Sequence, residues 1–123
     1  MVALVVDDSR AMRTVVGRIV RELGFEVVEA ANGRDALARL HEGLRPRFAL
    51  VDWNMPQMSG LEFVQSVRSD AAHSDLTVMM VTTEIETTQV QRALAAGANE
   101  YLMKPFTREA LVEKLLILGV GHE

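Results

Sequence analysis

Five side chains stand where they could share one piece of chemistry: the carboxylates of Asp7, Asp8 and Asp52, the Thr82 hydroxyl and the Lys104 ammonium. Asp7, Asp52, Thr82 and Lys104 each follow directly on a short, mainly apolar run, at residues 3–6, 48–51, 77–81 and 100–103, and Asp8 comes next after Asp7. Taken alone, an acid after a buried strand is often a helix cap, a threonine a turn residue and a lysine a solvated charge. If the runs are parallel neighbours, however, all their ends meet at one edge, where open α/β sheets keep their chemistry. Three carboxylates crowded into one crevice repel each other unless a cation or a shared proton relieves them. Oxygen-only donors favour a hard cation, and Mg²⁺ accepts a few carboxylates plus waters. Adding a lysine and a hydroxyl suits a phosphoryl group carried on a carboxylate oxygen, with Asp52 as the nucleophile.

The elements that must position these residues are legible as periodicities. Residues 48–51 are apolar without polar alternation, as in a strand buried on both faces. Pro56 cannot donate to a ladder, so that strand stops near Asp52. Ser9 is an N-cap for a helix whose stripe is Met12, Val15, Val16, Ile19, Val20 and Leu23, ended by Gly24. A strand at 26–30, an Asn32-Gly33 turn and a helix at 34–41 come next. The spacing predicts further helices over about 61–69 and 86–96, the second with Val90 and Leu94 inward. Thr107 caps a last helix carrying Leu111, Leu115 and Leu118. Strict alternation predicts an α/β fold, a (βα)₅ doubly wound parallel five-stranded sheet in the order 2-1-3-4-5.

Composition excludes several classes. A chain of 123 residues, 49% hydrophobic and 24% charged, predicts one globular domain. The net charge of −4 argues against general nucleic-acid affinity. Without cysteine there are no disulfides or thiolate metal sites. The N-terminus has no basic region before its apolar run, and no stretch is long and apolar enough for a membrane span, so a cytoplasmic protein is expected.

Four segments taken together carry a resemblance: Val5-Val-Asp-Asp-Ser9, Val51-Asp-Trp-Asn-Met-Pro-Gln-Met-Ser-Gly60, Val81-Thr-Thr-Glu84 and Lys104-Pro-Phe106. In order and over essentially the whole chain, they resemble the receiver domain of two-component response regulators, a flavodoxin-like fold, and within it the single-domain chemotaxis members. The resemblance implies one receiver domain over 1–123 with no output domain. It implies that Asp52 accepts phosphate from a histidine kinase without the chain being an enzyme for foreign substrates. Asp8, Asp52 and the Asn54 backbone carbonyl would ligate Mg²⁺, with Asp7 acting through water and Mn²⁺ able to substitute. Thr82 and Lys104 would bind phosphoryl oxygens, and the Lys104–Pro105 bond would be cis. Tyr101 would be the switch aromatic, exposing the signal on the face formed by helix 4, strand 5 and helix 5. Asn54 and Glu84 would tune autodephosphorylation. The implied partners of this monomer are the kinase, a phosphatase and a phosphorylation-dependent target such as a flagellar motor switch, with neither nucleic acid nor membrane.

Two other readings stay open from the residues: a relay intermediate or phosphate sink exchanging phosphate with a histidine phosphotransfer protein, and a Mg²⁺-dependent aspartyl-phosphate hydrolase. The hydrolase reading is the weaker, because Asp7 and Asp8 are adjacent where such enzymes want an Asp-x-Asp pair. Asp52-Trp-Asn54 opens like an EF-hand loop, but Pro56 and Phe63 occupy its fifth and twelfth positions. His41, His73 and His122 lack ligand spacing and read as solvated loop residues. Met55, Met58, Met79, Met80 and Met103 read as core or loop filler, and Arg10, Arg13, Arg18 and Arg21 as the solvated face of the first helix.

Overall fold

A computed structural model describes residues 1–53, 55, 58–82 and 87–120. Expectations placed on Asn54, Pro56, Thr83, Glu84 and His122 lie outside the described residues. In chain order the elements are β1 (Val2–Val6), α1 (Arg10–Glu22), β2 (Glu26–Ala30), α2 (Gly33–His41), β3 (Phe48–Asp52), α3 (Gly60–Ser69), β4 (Thr77–Thr82), α4 (Thr87–Ala96), β5 (Glu100–Met103) and α5 (Arg108–Leu118). All pairings are parallel and the strand order is β2-β1-β3-β4-β5, as the alternation predicts.

Alternate strand residues feed two cores. Leu4, Val6, Ala49, Val51, Val78 and Met80 pack under α2, α3 and α4 with Leu40, Phe63, Val64 and Ala93. Ala3, Val5, Phe48, Leu50, Met79 and Val81 face α1 and α5 with Val16, Val20, Leu111 and Leu115. Every residue of β3 is buried, as a central strand covered on both faces requires.

Local chemistry sets the helix starts. Ser9 Oγ accepts from Met12 N at 3.1 Å and Thr107 Oγ1 from Ala110 N at 3.0 Å. Ser59 and Glu62 form a reciprocal capping box that launches α3 straight after the Asp52 loop. Asn32-Gly33 is a helix start instead of a free turn: Asn32 Oδ1 accepts from Asp35 N at 2.8 Å, and Gly33 is the first residue of α2. An amide side chain in extended backbone caps as readily as it turns.

Two apolar expectations fail for a common reason. Val15 is 53% and Leu94 44% exposed, although both extend an apolar stripe. Each lies at the flank of its helix, next to a residue that takes the inward place: Val16 on α1 and the small Ala93 on α4. Met103 is also exposed, whereas Met79 and Met80 fill the core and Met55 and Met58 pack against it.

Candidate phosphoryl site

The register places the chemistry. Val6 pairs with Val51, Asp52 with Val81 and Thr82 with Met103, so the residues ending or following these strands arrive at one edge. Backbone bonds continue the sheet by one residue beyond the strands: Asp7 N donates to Ala30 O, Trp53 N to Val81 O and Lys104 N to Thr82 O, at 3.1, 2.9 and 2.7 Å. Gly60 N donates to Trp53 O, which sets the first residue of α3 beside the end of β3. A Cβ on Gly60 would stand 2.7 Å from the Asp52 carbonyl oxygen, so only glycine permits this approach.

Asp7, Asp8 and Asp52 each bring a carboxylate oxygen to within 4.8 Å of the others. Asp7 and Asp52 are buried and Asp8 faces solvent, giving the cluster one open side. Lys104 Nζ reaches Asp7 Oδ2 at 3.1 Å and Asp52 Oδ1 at 3.4 Å, its own side chain nearly buried. Among the described residues, one ammonium faces three carboxylates, which leaves the crevice negative. At such a separation each like-charge pair costs roughly 3–4 kcal/mol for an effective dielectric of about 20. The remaining attraction for a cation falls on oxygen donors alone, and so on a hard divalent ion. The donor set fits the Mg²⁺ expected from sequence.

Further partners hold the cluster in place. Ser9 N donates to Asp7 Oδ1 at 2.8 Å, which ties the first carboxylate to the α1 cap. Arg13 corrects the expectation that the α1 arginines form a solvated face. Its Nη1 donates to the Asp7 carbonyl oxygen at 2.7 Å, its Nε pairs with Glu29 at 3.0 Å, and its side chain is mostly buried. The sequence signal was its place one turn after Ser9, facing β2; charge periodicity alone hid it.

Thr82 is buried at the end of β4, and its neighbour across the sheet is Met103, which precedes Lys104. Tyr101 is half-buried on β5; Lys114 Nζ lies 4.9 Å from its ring centroid and pairs with Glu100 at 3.1 Å. The Lys104–Pro105 peptide is cis. Asp7, Asp8, Asp52 and Lys104 are thus brought together, with Thr82 one strand away and Tyr101 behind it. His73 belongs elsewhere and is not a solvated loop residue: it is buried at the opposite edge, where Arg45 Nη1 donates to its Nε2 at 2.6 Å. His41 closes α2 with its ring beside Asp70.

Residues 3–116 match the family model described as response regulator receiver domain. The chain is 43% identical to the chemotaxis protein CheY1 of Helicobacter pylori, over 98% of this chain and 99% of that protein. A chemotaxis protein CheY homolog of Campylobacter jejuni is also 43% identical, over 98% and 95%. Among solved structures, chemotaxis protein CheY4 of Vibrio cholerae superposes with a TM-score of 0.88 at 38% identity, covering 94% of this chain and 96% of that one. Among the described residues, no helix is long and apolar enough to cross a membrane. With a parallel sheet in this order and an acidic crevice at its carboxyl edge, the chain belongs to the response regulator receiver family, whose members are phospho-aspartate switches of two-component signalling.

Proposed function

We propose that Asp52 accepts the phosphoryl group, and that residues 1–123 act as one receiver unit. The observation that carries this reading is the burial of Asp52 and Asp7 against one shared lysine, beside the open carboxylate of Asp8. An Asp52 Oδ attacks the phosphorus of a kinase phosphohistidine; the nitrogen–phosphorus bond breaks and the imidazole leaves. Asp7, Asp8, Asp52 and the Asn54 backbone carbonyl would hold Mg²⁺, or Mn²⁺ in its place. When bound, that cation supplies positive charge to the phosphoryl oxygens. Lys104, already on Asp52, exchanges a carboxylate contact for a phosphoryl one, and the Thr82 hydroxyl donates to a second oxygen.

The charge change at Asp52 is local, so the output needs an element with two arrangements. Thr82 moving toward the phosphoryl group would let Tyr101 turn inward and reshape the face of α4, β5 and α5. Leu94, Met103, Leu116 and Ile117 are exposed on these elements, which suits a protein target. The similarity to chemotaxis regulators supports a histidine kinase as donor and a motility component, such as a motor switch, as target. Asn54 and Glu84 would set the lifetime of the phosphorylated state, with a phosphatase shortening it.

Trp53 adjoins Asp52 and is the chain's one tryptophan. Acetyl phosphate with Mg²⁺ is expected to change its fluorescence saturably, and Asp52→Asn to abolish the response to the donor. A donor response that survives in Asp52→Asn removes Asp52 as acceptor.

A further inference from the structure

Gln89, in the first half of α4, buries its carboxamide oxygen Oε1 without a hydrogen-bond partner, alone in this among the described residues. Native proteins pair nearly all buried acceptors, because an unmade hydrogen bond in the interior is expensive. Gln89 lines a cavity of about 10 Å³ together with Trp53, Met80, Thr82, Val90, Ala93 and Tyr101. The side-chain donors on that wall are the Thr82 hydroxyl, the Trp53 indole and the Tyr101 hydroxyl. Thr82 serves the phosphoryl group in the reading above. The Tyr101 hydroxyl makes no hydrogen bond among the described residues, and its ring is half-buried with Lys114 against it. Two groups that want each other thus line one cavity without meeting.

We propose that Gln89 is a positioning residue of the switch: Oε1, unpaired in the resting arrangement, accepts a hydrogen bond from the Tyr101 hydroxyl when the ring turns into the cavity. This rests on the role of Tyr101 proposed above and extends it to the acceptor that receives the ring. The cavity holds little more than a hydroxyl group, so the ring enters only as Thr82 withdraws toward Asp52. Gln89 then acts on both states, disfavouring the resting one by its unpaired oxygen and favouring the switched one by its bond.

The chain has one tyrosine and one tryptophan, so both reporters are unambiguous. Tyr101 ring resonances, with Mg²⁺ and beryllofluoride as phosphoryl mimic, give the inward population; Trp53 fluorescence gives the mimic's affinity. Gln89→Leu is expected to lower the inward population ratio and the mimic's affinity about two- to tenfold, the span of one net hydrogen bond. In a Tyr101→Phe background, Gln89→Leu should have no further effect on affinity. Gln89→Met, unbranched and of similar length, supplies the same test if the leucine packs poorly. Equal effects in the Tyr101 and Tyr101→Phe backgrounds would overturn the proposal while leaving the switch intact. Tyr101 resonances that ignore beryllofluoride in the natural chain would overturn the switch itself, and the proposal with it.

Discussion

The two edges of the sheet are built on opposite electrostatic terms. At the carboxyl edge, among the described residues, three carboxylates meet one lysine and the balance is negative. At the amino edge, Arg68 and Arg45 place their donors on acceptors within the chain. Arg68 Nε, Nη1 and Nη2 donate to Gly97 O, Ser74 O and Asn99 Oδ1 at 2.9, 3.0 and 2.9 Å. Asn99 Oδ1 also accepts from Val78 N at 2.8 Å, so one arginine ties α3, the start of β4 and the turn after α4. Burial holds the Arg68 guanidinium below its usual value, with Asp75 pulling the other way. Beside it, Arg45 donates to His73, and His73 Nδ1 donates to Asp70 at 3.3 Å. One edge stores charge for a ligand and the other uses charge to close the fold. The same residue types give function or stability according to whether their partners lie within the chain.

That contrast can be broken by substitution, beginning with the largest effect. Asp52→Asn should abolish phosphorylation while raising stability in the absence of Mg²⁺ by about 1–2 kcal/mol, because two like-charge contacts are removed against one ion pair with Lys104. Unchanged or lower stability in urea titration would mean the cluster is not strained. Lys104→Met should cost about 3 kcal/mol without Mg²⁺, as it strips the shared countercharge from buried carboxylates. Saturating Mg²⁺ should narrow this loss, because the more negative crevice of Lys104→Met binds the cation more tightly than the natural one and gains more from it. Arg68→Met should cost about 2–3 kcal/mol through three lost charge-assisted bonds, with no difference between its losses with and without Mg²⁺. If Mg²⁺ rescued Arg68→Met and left Lys104→Met unaided, the assignment of the two edges would be reversed.

The smallest effect is in acid. The Ala72 backbone N–H first, and then the His73 ring, hold the Asp70 carboxyl below its ordinary value of 3.8. A depressed carboxyl contributes stability that is fully present above its unfolded value and is lost as pH falls through the folded one. Asp70→Asn should therefore flatten the stability profile below about pH 4 and leave the phosphorylation chemistry untouched. A profile that keeps its acid slope at this site would remove Asp70 from the network.

The sheet order and the acidic crevice were legible in sequence for one reason: short apolar runs ending in Asp7-Asp8, Asp52, Thr82 and Lys104 combine periodicity with the parallel-sheet rule. What stayed hidden depends on distant pairing. Arg13 looked solvated because its partners Asp7 and Glu29 come from the loop after β1 and from β2. His73 looked like loop because a histidine is read as buried only once Arg45 and Asp70 are seen around it. Gln89 carried no signal at all, since an unpaired oxygen is defined by what fails to arrive. Leu94 lost its inward place to Ala93, a choice of helix rotation that an apolar stripe alone does not make.

Asp52 is the proposed phosphoryl acceptor at the crowded carboxyl edge. The direct measurement is the intact mass of the chain after acetyl phosphate and Mg²⁺, with borohydride trapping and peptide mapping to find the modified aspartate. The expected result is one phosphoryl increment that maps to Asp52 and disappears when Mg²⁺ is chelated. An increment that maps to Asp7 or Asp8, or that forms equally well in Asp52→Asn, would remove Asp52 as the acceptor.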